Sequence, residues 1–262
     1  MRKVTDEELK RIQIEILDDV AAFCQQHGLQ YFLAYGTLLG AVRHNGYIPW
    51  DDDIDIHMPR PDYEYFIKQY NREANCNKVV SHELDSRYRV AFAKVYRKGT
   101  SLREFHFKPD VFGVYIDIFP LDAFEDNAQA SKCGEIRRLM HVKNSVFTKG
   151  MPLLRKMRLA ITKLLLLPIS LNAFQKMIKA TAYRRDYNSG DKVFSSYSRL
   201  AAKEVFPRSL FTGYKSVTFE GKEYRAPLDC DLYLHTLYGS YMELPPEEKR
   251  ISQHNSQAYF DN

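Results

Sequence analysis

Near the start of the chain apolar residues return at three- and four-residue steps (Leu9, Ile12, Ile16, Val20, Phe23), the stripe of an amphipathic helix. Thr5 and Glu8 have capping-box spacing and Gly28 is placed to stop the turn, so a helix is predicted from Thr5 to Gly28. The period then changes. From Tyr31 to Met58, YFLAYGTLLGAVRHNGYIPWDDDIDIHM, an apolar strand leads through Gly36-Thr37 into a short helix and then a second strand. There Ile54, Ile56 and Met58 alternate with Asp53, Asp55 and His57, so the acids share one face and the aliphatic residues back them. Pro59-Arg60-Pro61 breaks the chain, and Asp62 is placed to cap a helix that carries Phe66, Ile67 and Tyr70 inward.

Two further strands are predicted over Val79–His82 and Tyr88–Arg97. In the second, Tyr88, Val90, Phe92, Lys94 and Tyr96 share a face, which sets one ammonium on an apolar stripe. A lysine at a strand end ordinarily snorkels to water. In GVYIDIFPLD, from Gly113 to Asp122, Val114, Ile116 and Ile118 face one way and Tyr115, Asp117 and Phe119 the other. Asp117 is then a carboxylate among bulky neighbours, costly unless paired or metal-bound, while Asp122 reads as a capped turn beside Pro120. From about Asn127 to Asp186 the period is helical and rich in Lys and Arg. The last part, from about Phe206, alternates at Val217 and Phe219, turns at Gly221 and ends in a helix around Leu232–Tyr238 before Leu-Pro-Pro; it is expected to pack back on the first part.

Composition narrows this little. A chain of 262 residues, 45% hydrophobic and 27% charged, suits one large domain or a domain with an elaborated second half. A net charge of +5 is too mild to suggest a nucleic-acid binder. Cys24, Cys76, Cys133 and Cys230 form no C-x-x-C pair, so neither a zinc site nor a disulfide framework is expected. MRKVTDEELKRIQ has no apolar core, hence no signal peptide is expected, and a reducing cytoplasm is the simplest location. The apolar stretch from Met151 to Ala182 is interrupted by Lys163 and Pro168 and falls short of the ~20 residues that span a bilayer. It is either a buried helix pair or a helix on a membrane surface with its basic residues toward headgroups.

The acids carry the chemistry. Asp53 and Asp55 on one face repel unless a cation lies between them, and Mg²⁺ suits a few carboxylates completed by water and phosphate oxygens. A calcium loop is excluded, because Ile56 stands where its turn needs Gly and Asp62 where it needs Glu. Asp51 and Asp52 read as a solvated turn. Gly36-Thr37 reads as a strand delivering its chain to a helix N-terminus, where free N–H groups favour a phosphate, although Thr37 is also an ordinary N-cap residue. Arg43 is placed either as an anion clamp or as a surface residue beside the Asn45-Gly46 turn.

Gly-Thr followed by hydrophobic-Asp-hydrophobic-Asp-hydrophobic resembles the signature of nucleotidyltransferases of the DNA polymerase beta type. The longer GTLLGAVRHNGYIPWDDDIDI, with YIDIFPLD and LYGSYMELPPEEKR, is similar to the LicD family of phosphocholine transferases, relatives of the fukutin-type ribitol-phosphate transferases. The resemblance implies an α/β (α+β) fold: a nucleotidyltransferase-like mixed β-sheet flanked by helices, with a helical insertion. It divides the chain into a catalytic core over 1–125 and a helical and C-terminal acceptor-binding region over 126–262. It also implies transfer of phosphocholine from CDP-choline to a hydroxyl of a glycan or teichoic acid precursor, with release of CMP. Asp53, Asp55 and Asp117 would hold Mg²⁺ or Mn²⁺, Asp117 as the third acid. Gly36, Thr37, Arg43 and Lys94 would contact the donor. The 18 tyrosines read mostly as core or interface residues, of which a few could form an aromatic cage for a quaternary ammonium. A lipid-linked acceptor would favour peripheral contact with the inner face of the membrane. Two other readings stay open: an NTP-dependent nucleotidyltransferase releasing pyrophosphate, and an inactive membrane-surface binding module.

Overall fold

The computed structural model describes residues 1–104, 113–148, 150–251 and 256–261. The chain opens with a short β1 (Arg2–Lys3) and α1 (Asp6–Gln26), then β2 (Phe32–Leu33), α2 (Tyr35–His44), β3 (Asp55–Pro59) and α3 (Arg60–Glu73). Strands β4 (Asn77–Val80), β5 (Ala93–Arg97), β6 (Thr100–Glu104) and β7 (Tyr115–Ala123) follow. Three helices come next: α4 (Asn127–Asn144), α5 (Leu153–Leu165) and α6 (Leu171–Ala182). The chain ends with β8 (Lys192–Ser195), β9 (Val205–Pro207), β10 (Lys215–Phe219), β11 (Lys222–Ala226), α7 (Cys230–Tyr238) and β12 (Ser256–Phe260).

A mixed sheet runs in the order β2-β3-β7-β5-β4, and β8 and β9, from the second half of the chain, extend it through β7. Only β3 and β7 run parallel within it. Ile54, Ile56, Val114, Ile116 and Ile118 are fully or nearly fully buried, so the predicted alternation puts the aliphatic residues against α1 and α3. The Thr5–Glu8 capping box forms, and Gly28 takes a φ of +67° just past the end of α1. The hairpin β10–β11 turns at Glu220-Gly221 and docks on the α2 end, where Glu220 accepts from the Tyr47 N–H at 3.0 Å. Asp18 of α1 takes the Tyr224 hydroxyl at 2.7 Å, which joins the hairpin to the first helix.

Several expectations are corrected. Strand β5 starts at Ala93 rather than Tyr88, because the Val90 carbonyl leaves the ladder and accepts from Gln175 Nε2 of α6 at 2.5 Å. Strand β4 covers Asn77–Val80 instead of Val79–His82. Helix α3 begins before Asp62, whose carboxylate instead accepts the Gln30 N–H at 3.2 Å. Asp122 is no turn cap: β7 runs on through Pro120, and Asp122 receives a two-point bond from Arg60, at 2.7 and 2.6 Å, with both side chains almost fully buried. That pair fixes the start of α3 on the sheet; such charges are tolerated inside only when matched at this quality.

The stretch from Met151 to Ala182 is not a buried helix pair. Helix α6 buries Phe174, Ile178 and Ala182 against α4, whereas α5 buries none of its residues. Among the described residues no helix is long and apolar enough to cross a membrane.

Candidate active site

Parallel pairing of β3 with β7 sets Asp55 opposite Asp117, and antiparallel pairing of β7 with β5 sets Asp117 opposite Lys94. Residues in register across neighbouring strands share a face, at a strand spacing of about 4.8 Å. Asp55, Asp117 and Lys94 therefore form one row across the sheet. The next residues on that face, His57 and Phe119, are also in register. Lys94 Nζ donates to Asp117 Oδ1 at 2.5 Å and lies 3.3 Å from the centre of the Tyr115 ring. It does not reach for water; it is 3% exposed and offsets part of the charge of the row.

Asp53 is not in the strand. Strand β3 starts at Asp55, and residues 51–54 form the approach to it. This segment is held from beneath: Gln13 of α1 donates to the carbonyls of Asp52 at 2.9 Å and Tyr115 at 3.3 Å, and the Tyr47 hydroxyl donates to Gln13 Oε1 at 2.9 Å. The result is electrostatic crowding. Burial pushes the Asp55 carboxyl well above its ordinary range, the charges of Asp53, Asp117 and Asp51 push it further, and Lys94 opposes them. Asp51 is thus part of the acidic cluster rather than a solvated turn. A Cβ on Gly36 would meet the Asp51 carboxylate, so a larger residue there would push that side chain from its present place.

Helix α2 starts two residues before Thr37, with Ala34 at the N-cap. Thr37 is not the cap: its hydroxyl faces back to the sheet and accepts the Asp55 N–H at 2.8 Å. Gly36 and Thr37 sit in the first helical turn, where backbone N–H groups have no acceptor within the helix and the dipole favours an anion. Tyr35 begins that turn with a φ of +45°, a conformation costly for a bulky residue. It is held by its N–H on the Tyr233 hydroxyl at 3.2 Å and by its own hydroxyl on Glu204 at 2.6 Å, beside Ser195 at 2.7 Å. Tyr233 also lies 3.0 Å from His57 Nε2, and burial lowers that imidazole to about 3.

Arg43 points elsewhere. Its Nη1 donates to the carbonyls of Tyr241 at 2.7 Å and Glu243 at 3.4 Å, which ties α2 to the segment before Leu-Pro-Pro. Arg250, just after Leu-Pro-Pro, lies over Trp50, 5.8 Å from the ring centre. The Trp50 and Leu-Pro-Pro motifs, far apart in sequence, meet at the edge of the acidic cluster. Tyr238 of the LYG segment stands there too: the residue is 45% exposed, but desolvation at its hydroxyl end, then the carboxylates of Asp55, Glu204, Asp51 and Asp53, raise its phenol. Sequence reasoning passed over Gln13, Tyr35, Glu204 and Tyr238; a polar residue inside the apolar stripe of α1 is the signal that marks Gln13.

Hard carboxylate oxygens that raise one another's proton affinity suit a divalent cation of the Mg²⁺ or Mn²⁺ type. Among the described residues no three His, Cys, Asp or Glu side chains are arranged to cage an ion unaided. An ion at this face would therefore need oxygens from outside the protein to complete its coordination.

A family model for the LicD/FKTN/FKRP nucleotidyltransferase domain matches residues 28–159, half of the chain, and includes α2, β3, β7 and the Asp55–Asp117–Lys94 row. The lipopolysaccharide cholinephosphotransferase LicD of Haemophilus influenzae is 28% identical to this chain over 99% of both proteins. An uncharacterized protein of Rickettsia typhi is 28% identical over 47% of this chain and 41% of its own length. With the family's domain laid over the acidic face of the sheet and a relative alike from end to end, the chain belongs to the LicD family.

Proposed function

We propose that the protein is a metal-dependent transferase that moves phosphocholine, or a related substituted phosphate, from CDP-choline to a hydroxyl of a cell-surface glycan or teichoic acid precursor. The observation that carries this is the acidic face centred on Asp55 and Asp117 beside the first turn of α2, in a chain alike over its whole length to a cholinephosphotransferase. Phosphoryl-type transfer asks chiefly for positioning and charge neutralisation. The acceptor oxygen attacks the phosphorus that bears choline, the bond from that phosphorus to the CMP oxygen breaks, and the acceptor proton must leave.

Asp53 and Asp55, with Asp117 beside them, would hold Mg²⁺ or Mn²⁺, which when bound supplies positive charge against the donor diphosphate. The N–H groups of Gly36 and Thr37 in the first turn of α2 would meet the same diphosphate. Thr37 holds Asp55 by its backbone, and Lys94 orients Asp117. Asp117 would either complete the metal site or take the acceptor proton. Arg43 organises the rim rather than touching phosphate.

Product identity tests the assignment. Incubated with CDP-choline and Mg²⁺ or Mn²⁺, the protein is expected to release CMP slowly, water standing in for the glycan hydroxyl, and Asp55→Asn is expected to stop it. Pyrophosphate formed from CTP, with CDP-choline inert, would replace this reading with the nucleotidyltransferase one.

A further inference from the structure

Helix α5 is inside out for a surface helix of a water-soluble fold. Leu153, Leu154, Met157, Ile161, Leu164 and Leu165 are each between 53% and 74% exposed. At 100° per residue they fall within an arc of about 120°. The opposite side, around Leu159 and Lys163, is the partly buried one. Polar bonds fasten that side: Lys163 Nζ donates to the carbonyls of Lys143 at 3.0 Å and Ser145 at 2.5 Å, and Lys143 Nζ donates to the Leu166 carbonyl at 2.6 Å. An amphipathic helix normally hides its apolar stripe on the body; here lysines grip the body and the leucines face away from it.

The charge along this stretch of sequence is one-sided, although Lys179, Arg184 and Arg185 of α6 and its end find Glu64, Glu83 and Glu125 from elsewhere. Between Glu135 and Asp186 the sequence carries twelve Lys and Arg and no Asp or Glu, although the whole chain has 33 acids and a net charge of only +5. Arg155, Lys156 and Arg158 stand on α5 itself. A second copy of this chain docked on the same stripe would bring Arg155, Lys156 and Arg158 of one α5 toward the same three cations of the other, so like charge opposes that occupant. An anionic lipid leaflet satisfies both features, since leucines enter the acyl boundary while the cations meet headgroups.

We propose that α5 is a membrane-docking helix that seats the protein on an anionic bilayer surface through this stripe. The proposal stands on exposure and charge and is independent of the transferase chemistry. Its test is flotation of the full chain with phosphatidylglycerol–phosphatidylcholine vesicles and with phosphatidylcholine vesicles alone. At low salt the expected retention on the anionic vesicles is about tenfold or more above that on neutral ones, falling as salt screens the headgroups. The Leu154→Glu, Ile161→Glu double variant is expected to lose that retention by about tenfold while melting with the wild type, because both side chains already face out. Equal retention on the two vesicle types, no retention at low salt, or a double variant that binds like the wild type would overturn the proposal. So would a concentration-dependent dimer in sedimentation that the same substitutions split, which would assign the face to a second copy.

Discussion

Asp55 and Asp117 are neighbours in one row with opposite energetic standing. Asp55 is raised by burial and by Asp53, Asp117 and Asp51, so its ionised form works against the fold. Asp117 is matched by Lys94, with side chains 11% and 4% exposed. Neutral substitutions are therefore expected to part in stability while agreeing in activity. Asp55→Asn should lower turnover by roughly 10²-fold or more and raise the thermal midpoint, because it removes repulsion without changing shape. Asp117→Asn should lower turnover as severely and lower the thermal midpoint, since it removes the carboxylate to which the buried Lys94 ammonium donates. Paired kinetics and melting curves check both; an Asp55→Asn protein that keeps most of its rate, or melts lower, contradicts the assignment.

At the scale of elements, the site depends on how α2 is seated on β3. One side-chain bond does much of this, from the Asp55 N–H to the Thr37 hydroxyl, and Thr37 is only 3% exposed. Thr37→Val keeps the volume but leaves that N–H without its acceptor, an expected loss of about 1–3 kcal/mol. Because the same bond aligns the first turn of α2 with the acids, kcat should fall as well. Thr37→Ser retains the hydroxyl and is expected to restore both stability and rate toward wild type; failure of serine to rescue would deny Thr37 its positioning role. Gly36 works at the same junction by omission, leaving room for Asp51.

For the whole molecule, burial makes folding sensitive to acid. The His57 imidazole lies in the interior, its ring 4.9 Å from Tyr35 and 6.2 Å from Phe119, and burial lowers it to about 3. An unfolded histidine titrates near 6.5, so below that pH the unfolded chain takes up a proton that the folded one refuses. Stability contributed by the neutral ring is present above pH ~6.5 and lost as pH falls toward 3, about 2 kcal/mol of it by pH 5. His141 of α4, lowered to about 4 by burial and then by Arg199 and Arg137, acts in the same direction. Urea unfolding at pH 7 and pH 5 should show this loss in the wild type and a smaller one in His57→Gln. Equal losses would mean that His57 is accessible to water in the folded state.

Local rules let the sequence by itself determine the first helix with its cap and stop, the alternation that buries Ile54, Ile56, Ile116 and Ile118, and the acids as a candidate metal face. Those features depend on residues two to four positions apart, where backbone geometry alone places side chains. It determined the family as well, through motifs long enough to be specific. Register across strands was left to the tertiary structure, because pairing β3 with β7 and β5 brings Asp55, Asp117 and Lys94 together from distant segments. So were the partners: Lys94 exchanged water for Asp117, Asp122 found Arg60, and Arg43 found the Tyr241 carbonyl, none of them visible from local periodicity. The pattern of α5 is that of a buried helix as much as of a surface one, and periodicity cannot say which way an apolar stripe turns. Only packing decides, and here the body is gripped through lysines, leaving the leucines outward.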